Sequence, residues 1–150
     1  MQAIHHVFDV AAAPTRVYDA LTTTVGLAGW WTTDVEGAAA QIGGLVEFTF
    51  GMGFDPIMRI TALEPGSRVS WEFADGHPNW EGSTFEFELE PSAVGTRVRF
   101  WQHYGRALSD DDFGVYNYNW GYYLESLRLL CESGHGKPFE PEGRVRSATG

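Results

Sequence analysis

Residues 110–133 read DDDFGVYNYNWGYYLESLRLLCES, and this stretch decides the fold. Its apolar residues recur at intervals of three and four, which is typical of a helix with one buried face. They are Tyr116, Trp120, Tyr123, Leu124, Leu127, Leu130 and Cys131. Three aspartates at the start favour a helix N-terminus, because their negative charge suits the helix dipole. A helix of this length would extend roughly 36 Å, enough to cross a whole sheet.

Upstream of this helix, short segments alternate between apolar and polar residues, as strands with one buried face do. They begin near Ile4, Val46, Pro56, Val69, Phe85 and Thr96. Short turns rich in glycine and proline separate several of them, which favours antiparallel pairing. The stretch between the first two strands predicts two short helices. The pattern therefore predicts an α+β fold, in which a curved antiparallel sheet of about six or seven strands wraps around the long C-terminal helix.

The length of 150 residues is typical of one domain with a substantial hydrophobic core. We expect that domain to occupy residues 1–138. Proline and glycine are frequent after Lys137. Residues 139–150 are therefore predicted to form an extended or disordered tail.

The charge balance excludes some partners. Ten Lys and Arg residues against 20 Asp and Glu residues give a net charge of −10, which repels phosphate backbones and anionic membrane surfaces. Nucleic acid is therefore not an expected partner. The single cysteine, Cys131, has no partner for an internal disulfide, and no metal-binding motif is present. No signal peptide or long apolar run is visible, so we expect a cytoplasmic protein without membrane insertion.

Several stretches resemble, in order, one known superfamily. They are residues 10–21 (VAAAPTRVYDAL), Trp30-Trp31, residues 42–44 (IGG), residues 63–71 (LEPGSRVSW), residues 95–98 (GTRV), residues 103–105 (HYG), and Trp120 with residues 123–127 (YLESL). Together they resemble the SRPBCC or START-like superfamily, in the branch named after the activator of the heat-shock chaperone ATPase. The resemblance implies the helix-grip fold over nearly the whole chain.

One segment departs from the family pattern. Residues 95–103 are one residue longer than the resemblance implies. A β-bulge near Trp101 or Gln102 would absorb the extra residue. The direction of His103 depends on that bulge and stays open at this point.

The resemblance implies a binding role, because members of the superfamily bind lipids, sterols, polyketides or other apolar molecules. We expect a small hydrophobic or aromatic ligand, and no cofactor, in an internal cavity between the sheet and the C-terminal helix. Aromatic residues make up 15% of the chain and can line such a cavity. The expected ligand-binding residues are Trp30, Trp31, Phe48, Phe50, Trp71, Phe85, Phe87, Phe100, Tyr116, Trp120, Tyr123 and Leu124. The alternative is that these rings fill the space completely.

Two other functions stay open. The first is a cofactor-independent cyclase or dehydratase on a polyketide-like substrate, acting through Tyr, His or Asp inside the cavity. His6 on the inner face of the first strand and His103 are candidates, although a hydrogen-bonded core histidine is the favoured interpretation. The other histidines, His5, His77 and His135, are expected on the surface or in loops. The acidic candidates Asp34, Glu36, Asp55, Asp75 and Glu81 show no spacing that would pair two carboxylates.

The second alternative is a chaperone-regulating module that binds another protein. It would need an exposed apolar or strongly charged patch away from the cavity mouth. A homodimer formed through an aromatic edge or a helix face also stays open.

Overall fold

The computed structural model describes residues 2–141, and the C-terminal helix packs across a seven-stranded sheet. The elements in chain order are β1 (Ala3–Val10), α1 (Pro14–Thr22), α2 (Thr24–Ala28), β2 (Asp34–Gly37), β3 (Leu45–Thr49), β4 (Ile57–Glu64), β5 (Arg68–Asp75), a 3₁₀ turn (Pro78–Trp80), β6 (Thr84–Pro91), β7 (Thr96–His103) and α3 (Asp110–Ser133). The predicted α+β helix-grip fold is confirmed.

The sheet has the strand order β1-β7-β6-β5-β4-β3-β2, and every neighbouring pair is antiparallel. Strands β3 to β7 are therefore linked by successive hairpins, as their short turns predict. The edge strand β2 was not recognised in the sequence, because its four residues, Asp34–Gly37, are too few to show an alternation.

The bulge expected near Trp101 or Gln102 is absent, and that expectation was wrong. Strand β7 pairs residue for residue with both β1 and β6 from Thr96 to His103. An unbroken register keeps the inside–outside alternation, so the His103 side chain lies on the exposed face. The register shifts occur in β4, between Ile57 and Met58 and between Ile60 and Ala62.

Helix α3 begins and ends as its sequence predicts. The Ser109 hydroxyl oxygen accepts a hydrogen bond of 3.1 Å from the Asp112 amide, which satisfies one free N–H of the first turn. Gly134 ends the helix in the left-handed region with φ of 85°, a conformation that costs glycine little. Between these caps, Trp120, Leu124 and Leu127 are buried against the sheet.

The core lies between α3, the two short helices and the inner face of the sheet. The alternating residues of the strands point inward and are almost fully buried; among them are Val46, Phe48, Met58, Ile60, Val69, Trp71, Phe85, Phe87, Val98 and Phe100. Burial of one such side chain contributes about 1.5–3 kcal/mol. This ring-rich layer fixes the position of α3 over the sheet.

After α3 the chain turns back across the molecule as a C-terminal strap, residues 136–141. The Phe139 amide donates to the Trp31 carbonyl (2.8 Å), and the Thr33 amide donates to the Phe139 carbonyl (2.9 Å). The first residues of the predicted tail therefore make backbone hydrogen bonds, whereas residues 142–150 lie outside the described part. The predicted domain boundary at residue 138 stays a prediction.

Across residues 2–141, no helix combines the length and the apolarity that crossing a membrane requires.

Candidate functional site

A cavity of about 370 Å³ opens between α3, the loop that follows β3, the 3₁₀ turn and the C-terminal strap. Eight of its twelve lining residues carry a Phe, Tyr or Trp ring. The full lining consists of Trp31, Phe50, Gly51, Met52, Phe54, His77, Trp80, Tyr116, Asn119, Trp120, Tyr123 and Phe139. None of these residues is an Asp, Glu, Lys or Arg, so the wall is apolar and carries no fixed charge.

Three indole rings form the floor of the cavity and lie nearly parallel. The ring centroid of Trp120 is 5.1 Å from that of Trp31 and 6.2 Å from that of Trp80, with interplanar angles of 26° and 14°. The rings of Trp31 and Trp80 are 6.4 Å apart at 12°. Stacked arrangements at these distances are favourable for aromatic pairs, so the floor is a preformed surface of parallel rings.

The polar edge of Trp120 is fully engaged inside the core. Its Nε1–H donates to the buried Gln102 side-chain oxygen at 2.7 Å, and the Gln102 amide nitrogen lies 3.4 Å from the Ser83 hydroxyl. This chain of hydrogen bonds satisfies a donor that would otherwise be costly to bury. Trp120 therefore offers a molecule in the cavity its ring and no hydrogen bond.

A tight loop forms one side of the cavity mouth. Gly51, Met52 and Gly53 all have positive φ, of 89°, 54° and 82°. The left-handed conformation costs a residue with a Cβ about 1 kcal/mol, so Met52 is held there by its surroundings. The Asp55 carboxylate supplies the restraint, because one of its oxygens accepts from the amides of Phe50 (3.0 Å) and Gly51 (2.8 Å). The loop leaves Met52 fully exposed at the mouth.

Polar groups occur at two places in the wall. The His77 Nδ1 atom accepts from the Asn79 amide (3.1 Å), so Nε2 carries the proton in the neutral ring. The Asn79 side chain donates to the Tyr116 hydroxyl oxygen (3.2 Å), which leaves the hydroxyl proton of Tyr116 free to donate. On the other side, Asn119 presents an amide on α3. The site therefore offers hydrogen bonds at its rim.

Burial raises the pKa of two tyrosines in and near the cavity. Burial raises the pKa of Tyr123, which lines the cavity, and the neighbouring Tyr122 adds to the rise. Burial also raises the pKa of Tyr104 strongly, with a smaller contribution from Tyr116 and an opposing one from Trp80. Desolvation disfavours the phenolate, so both hydroxyls keep their proton to a higher pH than an exposed tyrosine does.

The structure divides the twelve residues expected to bind a ligand into two groups. Five line the cavity: Trp31, Phe50, Tyr116, Trp120 and Tyr123. The other seven are buried in the core and lie outside the cavity lining: Trp30, Phe48, Trp71, Phe85, Phe87, Phe100 and Leu124. The rings thus fill the space directly between helix and sheet, and the open cavity is lined by α3, loops, the 3₁₀ turn and the strap, with no strand residue among its twelve lining residues. Ligand binding by any of them stays a prediction.

Sequence reasoning missed seven lining residues: Gly51, Met52, Phe54, His77, Trp80, Asn119 and Phe139. Most lie in loops, the 3₁₀ turn or the strap, where no periodicity indicates a direction. Asn119 did carry a signal, because it follows Tyr116 by three residues and precedes Tyr123 by four. That spacing places it on the same face of the helix.

The other titratable candidates lie away from the cavity lining. His6 is on the inner face of β1, as predicted, and its Nε2 forms a hydrogen bond of 3.0 Å with the Asn117 side chain. Neither His103 nor any of the five acidic candidates, Asp34, Glu36, Asp55, Asp75 and Glu81, lines the cavity. Over residues 2–141, no group of three or more His, Cys, Asp or Glu residues could hold a metal ion.

Comparison with known proteins places this architecture in a family. A model of the family described as "Activator of Hsp90 ATPase homolog 1-like protein" matches residues 11–132. A search of curated proteins found no significant match. The C-terminal strap lies beyond the part of the chain that the family model matches.

Solved structures of similar proteins share the fold. The chain is 35% identical to the protein in the solution structure of the Aha1 dimer from Colwellia psychrerythraea, with a TM-score of 0.82 over 91% of this chain and all of that one. Protein MLL2253 from Mesorhizobium loti matches at 20% identity and a TM-score of 0.75, over 86% of this chain and 96% of that one. CalU16 from Micromonospora echinospora matches at 17% identity and a TM-score of 0.65, over 88% of this chain and 76% of that one. The last two show similarity of fold alone.

Proposed function

Because the chain belongs to the family of Activator of Hsp90 ATPase homolog 1-like proteins, we propose that it binds a small hydrophobic or aromatic molecule in the cavity between α3, the loop that follows β3, the 3₁₀ turn and the C-terminal strap. The observation that carries this proposal is the open volume of about 370 Å³ above three nearly parallel indole rings. The cavity is open to solvent, and a concave site lined mainly by aromatic rings with a few polar groups is typical of small-molecule binding sites.

The wall defines the chemistry of the ligand. A volume of a few hundred Å³ suits a molecule of two or three fused or linked rings. The absence of charged side chains in the lining favours an uncharged body, because an isolated charge would be costly to desolvate there. His77 Nε2–H, the Tyr116 hydroxyl and the Asn119 amide can donate at the rim. A carbonyl or hydroxyl oxygen on the ligand would therefore be oriented toward the mouth.

A titration with the neutral fluorescent probe N-phenylnaphthylamine tests the proposal. Trp120→Ala should weaken probe binding about tenfold or more, because the variant removes the central ring of the floor. The matched control is Trp101→Ala. Trp101 stacks on His5 at 4.5 Å on the outer face of the sheet and is not part of the lining, so its removal should leave probe affinity within about twofold.

Circular dichroism of both variants shows whether each keeps the fold. Equal weakening by the two substitutions in folded protein would contradict binding in this cavity. If Trp120→Ala fails to fold, Tyr123→Ala at the cavity rim takes its place, and we expect it to weaken probe binding by the same factor.

A cofactor-independent cyclase or dehydratase activity is an alternative proposal for the same cavity. It is favoured by the presence of His77 and Tyr116 in the wall, since both side chains can move a proton. If it is correct, His77→Ala and Tyr116→Phe should keep probe binding but abolish conversion of a polyketide-like substrate. If the His77→Ala and Tyr116→Phe variants lose conversion only when they also lose probe binding, the two residues serve binding and not catalysis.

A protein-interaction role is favoured by a different surface. Val115, Tyr118 and Tyr122 are exposed and lie at helical spacing on the outer side of α3. We propose them as the contact for a second copy of this chain, in view of the dimer reported for the relative that is 35% identical. Regulation of a chaperone ATPase, the activity in the family description, is tested by adding the protein to purified Hsp90. For each role we propose a cytoplasmic location.

A further inference from the structure

The cavity adjoins an open groove on the surface of α3. Asn119, Tyr123 and Phe139 belong to the walls of both, so one molecule could extend from the cavity into the groove. The groove is completed by Tyr118, Tyr122, Lys137, Pro138 and Glu140. An apolar cavity thus adjoins a stretch of surface that contains a cation.

Lys137 is the only lysine in the sequence. Each arginine over residues 2–141 has a carboxylate or carbonyl partner: Arg16 with the Leu130 carbonyl, Arg59 with Glu72, Arg68 with Glu64 and Glu86, Arg97 with Asp9, Arg99 with Glu90, Arg106 with the Pro78 carbonyl, and Arg128 with Glu125 and Glu132. The Lys137 side chain makes no hydrogen bond or ion pair anywhere in that range.

The carboxylates near Lys137 do not neutralise it. The pKa of Glu125 is lowered mainly by its hydrogen bonds with Arg128, and the positive charge of Lys137 makes only the smallest contribution. Glu140 lies in the same groove and forms no ion pair with Lys137. Within residues 2–141 Lys137 is an unpaired cation beside an apolar cavity, and such a cation can hold an external anion locally against the repulsion of a chain with a net charge of −10.

The backbone around Lys137 is fixed by contacts on both sides. The Lys137 amide donates to the buried Ser126 hydroxyl at 2.6 Å, and Phe139 is hydrogen-bonded to Trp31. Pro138 keeps the preceding residue extended, so residues 137 and 139 are directed to the same side of the strap. The strap therefore fixes the backbone of Lys137 close to the Phe139 wall of the cavity, and the flexible Lys137 side chain extends from that fixed point.

We propose that the ligand is an amphipathic carboxylic acid, with its aromatic or apolar body in the cavity and its carboxylate at Lys137. The proposal rests on the proposed binding function and adds the acidic group and the flexible spacer that joins it to the body. It assigns Lys137 as a residue that determines specificity.

The test measures displacement of N-phenylnaphthylamine by two matched compounds, phenylhexanoate and phenylhexanol, which differ in the charged end. The wild-type protein should bind the acid about fivefold more tightly than the alcohol, the upper range for an exposed charge pair. Lys137→Gln should abolish that difference and leave probe affinity unchanged. Arg59→Gln is the matched control, because it removes the same charge from the outer face of the sheet, where Arg59 pairs with Glu72.

The outcomes separate this proposal from the one on which it rests. Equal affinity of the wild-type protein for acid and alcohol, with normal probe binding, would overturn the role of Lys137 and leave the cavity function in place. An acid preference that Lys137→Gln keeps, or that Arg59→Gln removes equally, would also overturn it. Failure of the probe to bind at all would overturn both proposals.

Discussion

Trp120 links the long helix to the sheet by two kinds of contact. Its ring packs 4.4 Å from Phe100 of β7 and 5.1 Å from Trp31, while its N–H is paired with Gln102 of the same strand. Removing such a buried side chain costs about 3–5 kcal/mol, so its truncation weakens both the fold and the floor of the cavity. Stability and binding are therefore coupled at this residue. Circular dichroism and the Tyr123→Ala variant separate the two effects.

Tyr104 makes stability depend on pH in the alkaline range. Burial raises its pKa above the ordinary value of 10.0, so the folded protein keeps the proton that the unfolded chain has lost. The stability that Tyr104 contributes is present below pH 10 and is lost as the pH rises toward the folded pKa. Tyr104→Phe should make the decline in unfolding free energy shallower by up to about 1.4 kcal/mol per pH unit. Urea denaturation at several values above pH 10 measures this slope.

The matched control for this prediction is Tyr118→Phe, at a hydroxyl on the exposed face of α3. It should keep the wild-type slope. A Tyr104→Phe variant with the wild-type slope would mean that another group dominates alkaline unfolding.

At the scale of elements, the C-terminal strap depends on a close backbone crossing. A Cβ atom at Gly136 would lie 2.3 Å from the Gly29 carbonyl oxygen and 2.9 Å from the Ser126 carbonyl oxygen. Only glycine fits between α2 and α3 at this distance. The crossing sets the path by which Lys137 reaches the groove and Phe139 reaches the cavity.

Gly136→Ala should therefore detach the strap while leaving the sheet intact. We expect the amides of Phe139 and Thr33, which bond across the strap, to exchange with solvent at least tenfold faster. Hydrogen exchange followed by NMR measures this change, and probe affinity should fall with it.

The matched control is Gly114→Ala, which makes the same glycine-to-alanine change inside α3 and away from the strap. Apart from the neighbouring backbone of α3, no heavy atom lies within 4 Å of a Cβ at that position, and alanine favours a helix by up to about 1 kcal/mol relative to glycine. It should raise stability and leave the strap amides unchanged. Unaltered exchange in Gly136→Ala would contradict a strap held by this crossing.

The whole molecule shows what the sequence can and cannot predict. The three-and-four spacing of Tyr116, Trp120 and Tyr123 predicts both the helix and the face that meets the cavity. Alternation predicts that Phe48 and Phe87 point inward, yet it carries no information on depth, and both lie in the filled core. A periodic pattern gives direction, whereas the boundary between packed core and open cavity depends on contacts between distant segments.

Loops and turns account for most of what was missed. Phe54, Trp80 and Phe139 lie outside regular strands and α-helices, so no periodicity predicts where their rings point. They reach the cavity because tertiary contacts close the mouth around Trp31 and Tyr116: Trp80 packs 5.5 Å from Tyr116, and Phe139 pairs with Trp31 through its backbone. The missed cavity wall is thus a product of long-range packing.

The central claim is that this cavity holds a small molecule, and native mass spectrometry of the protein purified from its own host tests it most directly. We expect the folded protein to carry a defined added mass of a few hundred daltons, consistent with the size of the cavity. Extraction should yield an aromatic or apolar compound, and Trp120→Ala should lose it. A folded wild-type protein with a clean unliganded mass, and no mass shift across a panel of lipids and polyketides, would contradict the claim.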